Sequence, residues 1–171
     1  MKKSFLFIIV LFTLISCEED VSFNNPSFQG IKDNVFWRAI VSTASVGANG
    51  ALVIKAYSGN EVITLKMPMP AKVVNQKDKN SYVTYVLGTS TSKVATYVLT
   101  DSSGTTTFTT GSGIGDGQII ITDYDKVGNT VSGSFKFNAE NIYNNPLVGD
   151  ILNFQQGVFY KVPIIPSLLA N

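Results

Sequence analysis

The chain predicts an all-β protein, a single antiparallel meander of about eight or nine short strands that forms a β-sandwich or a flattened barrel. Three observations lead there. Apolar and polar residues alternate at period two; turn residues recur at short intervals, among them Asn49-Gly50 and Ser58-Gly59-Asn60; and no apolar stripe at helical spacing reaches a convincing length. Short connections favour pairing between consecutive strands, and a sheet that closes or stacks covers edges that would otherwise invite aggregation.

The first element precedes the β-domain. Lys2 and Lys3 form a positive head, Phe5 to Ile15 is apolar apart from Thr13, and Ser16 places a small residue before Cys17, the one cysteine of the chain. An apolar run of about 10–14 residues is too short for a membrane-spanning helix and suits a signal peptide. Ser16-Cys17 fits a lipobox, in which the chain is cut before a cysteine that carries acyl groups. The expected organisation is residues 1–16 as a signal peptide, 17–22 as lipidated cysteine and short tether, 23–163 as the β-domain, and 164–171 as an apolar tail.

Loss of residues 1–16 removes two of the 13 basic residues and none of the 12 acidic ones, which turns a formal charge of +1 into −1. That balance offers no clustered basic face for nucleic acid. With Cys17 acylated there is neither thiol chemistry nor a disulfide, so packing and sheet hydrogen bonds must hold the fold.

The strands follow in order. Val35–Val46 reads as one strand, ended by Gly47-Ala48-Asn49-Gly50, where Asn-Gly is a strong tight-turn pair. Ala51–Tyr57 and Glu61–Met67 flank Ser58-Gly59-Asn60. Pro68 and Pro70 close the second of these, because proline cannot donate to a ladder. Asn75–Asn80 is a polar loop. Tyr82–Leu87 and Val94–Leu99 are expected to pair around Gly88–Lys93, and Thr105–Thr110 follows the Asp101–Gly104 turn. Gln118–Asp125 and Thr130–Ala139 form the clearest hairpin. In its second arm Val131, Gly133, Phe135, Phe137 and Ala139 alternate with Ser132, Ser134, Lys136 and Asn138, giving one buried and one wet face. A last strand covers about Gly157–Val162.

The candidate chemistry is thin. No histidine occurs, which excludes Ser-His-Asp and Cys-His catalysis and the usual zinc sites. Ser90-Thr91-Ser92-Lys93 matches an S-x-x-K string but falls in a loop, where the motif needs a helix. The glycine-rich stretch Gly111–Gly117 has Asp116 and Gln118 where a dinucleotide fingerprint needs glycine, and no helix follows it. Asp116, Asp123 and Asp125 are weak candidates to share a calcium ion; their spacing is not that of an EF-hand, and Asp125 suits a turn-opening role. Glu61, Asp123 and Asp150 are acids that a glycosidase mechanism could use, if two faced each other across about 5–10 Å. Trp37 is a weak candidate for ligand stacking, since it and Phe36 point to opposite faces. No catalytic residue, cofactor or metal is expected.

Two resemblances add to this. Glu18-Glu19-Asp20, directly after Cys17, resembles the acidic export signal that sends lipoproteins of the Bacteroidota to the cell surface. The run Phe23–Ala39, the blocks Gly113–Gln118 and Val131–Ala139, and Asn153-Phe154-Gln155-Gln156-Gly157-Val158-Phe159 resemble an uncharacterised Bacteroidota lipoprotein family, domain of unknown function family 6252. The likeness implies that Phe23–Asn34 belongs to the folded domain, and it carries no catalytic or binding residues to transfer. The expected protein is an outer-membrane lipoprotein held through Cys17, at the cell surface or on the periplasmic face. The leading expectation is a non-enzymatic binding or envelope-interaction module. The alternatives are a lipocalin-like carrier of a small apolar ligand and a carboxylate-based carbohydrate-active enzyme.

Overall fold

Alternation decides which side of each strand is buried, and the two longest strands decide how the layers join. A computed structural model describes residues 26–165 apart from residue 48 and residues 144–148. The expected signal peptide, Cys17, the acidic triplet and the end of the expected tail therefore lie outside the described residues. Eleven strands appear, β1 Ser27–Lys32, β2 Val35–Arg38, β3 Val41–Val46, β4 Ala51–Ser58, β5 Glu61–Pro68, β6 Val83–Leu87, β7 Val94–Asp101, β8 Gly104–Thr109, β9 Asp116–Asp125, β10 Thr130–Asn141 and β11 Ile151–Ile165.

One layer runs β2-β1-β11-β10-β9-β6 and the other β3-β4-β5-β7-β8. β11 pairs with β10 along one edge; its other edge serves β1 and then, through Ile164 and Ile165, lies parallel to β3. β10 pairs with β9 along most of its length and hands Glu140 and Asn141 to β8. Hydrogen bonds thus run in a closed ring, β11-β3-β4-β5-β7-β8-β10 and back to β11, with β1–β2 and β9–β6 as extensions.

The all-β reading stands, and the strand count and the simple meander are corrected. Ser27–Lys32 is a strand whose inward residues are Phe28 and Gly30, and a glycine leaves no apolar period to read. Val35–Val46 breaks at Ala39-Ile40, where Ala39 N–H bonds Phe28 in one layer and Ile40 N–H bonds Tyr57 in the other. The expected pairing of Tyr82–Leu87 with Val94–Leu99 does not occur. β7 has one edge occupied by six consecutive partners in β5 and the other by β8, so β6 pairs with β9 instead. The last strand is longer than Gly157–Val162 and passes residue 163. Two bulges break its period, each containing a residue in the left-handed region, Gln156 (φ 52°) and Lys161 (φ 47°). The bulge N–H of Lys161 is not orphaned, because it donates to Oγ of buried Ser132 at 2.9 Å.

The core is continuous across both layers. Phe135 is its hub, with ring centroids 4.8 Å from Phe28, 5.1 Å from Phe154 and 6.1 Å from Phe137. Trp37 meets Phe28 and Phe154 edge-on, at 6.0 and 5.9 Å, a geometry the ring quadrupole favours. These rings have room because glycines face them across the strands: Gly30 opposes Trp37, Gly133 opposes Phe159, Gly157 opposes Phe135 and Gly117 opposes Phe137. A Cβ on Gly157 would sit 2.6 Å from the Phe135 ring, and one on Gly133 would sit 2.1 Å from the Ile120 carbonyl oxygen.

The tight fit predicts that Gly133→Ala destabilises the domain by about 1–3 kcal/mol, the range for overpacking a filled core. Urea denaturation should show a lower midpoint with an unchanged slope; a midpoint equal to that of the parent chain would mean that β9 and β10 can spread at no cost.

Candidate functional site

Glu61 opens β5 just after the Gly59-Asn60 turn, and its side chain shares the inward side with Ile63 and Leu65. It is therefore a charged residue at the rim of an apolar interior. Three donors from both layers converge on it. Lys32 Nζ and Tyr97 OH both donate to Oε1, and Trp37 Nε1 donates to Oε2 at 2.5 Å. Lys32 also donates to Tyr97 OH at 3.0 Å and lies 4.9 Å from the centre of that ring. The ion pair is half-shielded, with 22% of the Lys32 side chain and 17% of the Glu61 side chain exposed.

Burial alone would push the Glu61 carboxyl up. The hydrogen bonds from Lys32, Tyr97 and Trp37, with the Lys32 charge, outweigh it and hold the group below its ordinary value. Tyr97 moves the other way. Burial, then its hydrogen bond to Glu61 and the charges of Glu61 and Asp33, push its phenol far above the usual range. The result is a fixed carboxylate facing a proton that stays on Tyr97, an arrangement suited to joining two layers. It lacks the acid with a raised pKa that proton donation to a leaving group would need.

The other sequence candidates are dispersed. Trp37 is 5% exposed and is a core residue, while its neighbour Phe36, at 61%, is the aromatic that faces solvent. Asp116 and Asp125 stand at opposite ends of β9, about 30 Å apart for an extended strand of that length. Asp116 accepts from Asn138 Nδ2, Asp123 from Gln76 N–H, and Asp125 from the N–H groups of Val127 and Gly128 in the turn it opens. Among the described residues no three acidic, histidine or cysteine side chains gather as a metal site. In the glycine-rich loop Gly115 N–H already donates to the Glu140 carboxylate at 2.8 Å. Ser90-Thr91-Ser92-Lys93 lies between β6 and β7 on no helix. Asp150 precedes β11, where its backbone carbonyl accepts from Asn141 N–H.

The described residues form surface hollows that are open to solvent, among them the following. One lies between Asn49-Gly50 and Thr91-Ser92, one between Val73–Asn75 and Asp123–Lys126, and one on the outer face of β9, β10 and β11 around Ser134, Gln155 and Val158. The ring interior is occupied by Phe28, Phe137, Phe154, Phe159, Ile54, Ile63 and Leu65, all nearly inaccessible.

Comparison with known proteins gives a family match. The family described as a domain of unknown function (DUF6252) covers residues 24–163. The chain belongs to this family. No curated protein and no solved structure matches it. The DUF6252 match takes in every strand from β1 to β10 and all but the end of β11, so the Glu61 cluster is built from residues inside it, while Ile164 and Ile165, which join β11 to β3, lie just past its end.

The cluster predicts an acid-sensitive domain. Glu61 titrates lower in the folded chain than in the unfolded one, so its stabilisation is complete above the ordinary value of 4.5 and is lost as pH falls through the lower, folded value. Glu61→Gln keeps the size, removes the charge and leaves Lys32 against a neutral amide. It should cost about 1–3 kcal/mol at neutral pH and flatten the acid limb of stability against pH. Urea midpoints from pH 7 to pH 3 test this; equal acid slopes for parent and variant would remove Glu61 as the source.

Proposed function

We propose that this DUF6252 protein is a lipid-anchored cell-envelope lipoprotein whose β-domain acts as a non-enzymatic binding module. The observation that carries the reading is the N-terminal sequence, Lys2-Lys3, the apolar run from Phe5 to Ile15, and Ser16 before the chain's one cysteine, Cys17. Two or three acyl chains on Cys17 would hold the domain stably, where one chain would hold it only marginally. Glu18-Glu19-Asp20 support export to the outer surface of the outer membrane, in the manner of Bacteroidota lipoproteins. Side chains filling the ring support recognition on the outside of the domain rather than carriage within it. The partner is a protein or glycan met at the envelope.

Feeding cells an alkyne-tagged palmitate should label the natural chain and leave Cys17→Ala unlabelled and released from the membrane fraction; label retained in the variant would sink the anchor. Protease added to intact cells should digest the natural protein. Replacement of Glu18, Glu19 and Asp20 by alanine should protect it, and a natural chain that is already protected places the domain on the periplasmic side.

A further inference from the structure

We infer that the corner formed by Ala39-Ile40 is the membrane-facing surface of the domain, resting its apolar residues in the headgroup layer of the bilayer that holds Cys17. The inference rests on the lipid-anchor reading and adds to it an orientation and a contact surface.

The corner is where one layer passes into the other. Phe36 and Arg38 lie on the outer face of β2, Ile40 continues their alternation, and Val41 begins the outer face of β3 directly opposite Tyr57 of β4. Ile40 is 79% exposed, Phe36 61%, Val41 54% and Tyr57 39%. From Val41 and Tyr57 the row continues across the sheet to Val62 and Val98, each opposite the one before. Scattered apolar side chains on a surface are ordinary; the row Val41-Tyr57-Val62-Val98, meeting Ile40 and Phe36 around a corner with Arg38 between those two, marks a contact surface.

The tether selects the bilayer as its occupant. Ala39 N–H bonds the Phe28 carbonyl, so Ile40 lies beside Ser27, where β1 begins. Ser27 is ten residues from Cys17, which gives the connection a reach of at most about 35 Å. The point at which the chain enters the domain is thus also the point at which the apolar corner projects. Arg38 and Lys55 are exposed on the faces that meet there and suit lipid phosphates, with Tyr57 as an aromatic at interfacial depth. Of the exposed acids, Asp33 is in the β1–β2 turn, at the other end of β2 from Ile40, and Asp101 sits at the β7–β8 hairpin, on the far side of β5 from the corner.

Other exposed apolar residues are set apart from this row: Val158 stands between the polar Gln29 and Ser134, and Val73 is in the connection between β5 and β6. Val127 is in the β9–β10 turn and Val86 is on the edge strand β6. Ile142, Tyr143 and Ile151 flank residues 144–148 at the opposite end of β11 from the partner of Ser27, about 30 Å away along the strand.

The test uses the full, lipidated chain in vesicles of phosphatidylethanolamine and phosphatidylglycerol. With Cys17 acylated, Ile40→Cys and Val86→Cys each supply a single thiol for an environment-sensitive fluorophore. The Ile40 probe should shift to the blue and lose more than about half its intensity to lipids spin-labelled near the headgroup, as expected at an interfacial depth of about 5–10 Å, while the Val86 probe should do neither. If the chain floats with the vesicles and the Ile40 probe behaves as in water, or the Val86 probe is the one quenched, the orientation is overturned and the anchor stands. A blue shift that grows with protein density without lipid quenching would place a second copy on the corner and overturn it too. A chain that does not float, with Cys17 itself reacting with the fluorophore, overturns the anchor reading and this inference together.

Discussion

The structure depends on the pairing of large aromatic rings with glycines across the strands. An interior bounded by a seven-membered ring of strands is narrow, and five phenylalanines and a tryptophan from β1, β2, β10 and β11 pack into one core against it. Gly30, Gly117, Gly133 and Gly157 make that feasible, because each stands opposite one of those rings and contributes no side chain of its own. A strand glycine is normally a weakness, through its entropy and its missing contact area. Here the missing Cβ is the space the neighbouring ring fills, so the cost in chain entropy is offset by aromatic burial of roughly 1.5–3 kcal/mol per ring.

The same device explains which parts of the fold were legible in the sequence. Strands with three apolar inward positions in succession, such as β4 with Leu52, Ile54 and Ala56, or β5 with Ile63, Leu65 and Met67 after Glu61, show a clean period that is legible nearly to the residue. β1 was not, because its inward positions are Phe28, Gly30 and Lys32, an aromatic, a vacancy and a charge. β11 was seen only in its middle, because an extra residue at Gln156 and another at Lys161 reset the alternation on either side. Pairing was harder still. Nothing local distinguishes β6 beside β7 from β6 beside β9, since that choice is settled by which edges of β7 are already taken.

The Glu61 cluster was legible in part. Glu61 stood out as a carboxylate, but its partners lie 29, 24 and 36 residues away, and only the meeting of β1 and β2 with β5 and β7 brings them together. One signal was available: Lys32 has the same parity as Phe28 and Gly30, so a charge was due to point inward and needed an anion. Trp37 illustrates the reverse case. Alternation left open which of Phe36 and Trp37 faced out, and the hydrogen bond from the indole to Glu61 is what fixes the tryptophan inside.

That indole has a further consequence. Trp37 is the one tryptophan of the chain, and it touches the Phe28 and Phe154 rings while its N–H is held by a carboxylate of the opposite layer. Tryptophan emission from this protein, excited at wavelengths that tyrosine does not absorb, therefore originates at a single seam, where a four-residue strand lies over the other sheet. The molecule carries its own gauge of whether its two halves are closed, with no dye and no change of sequence.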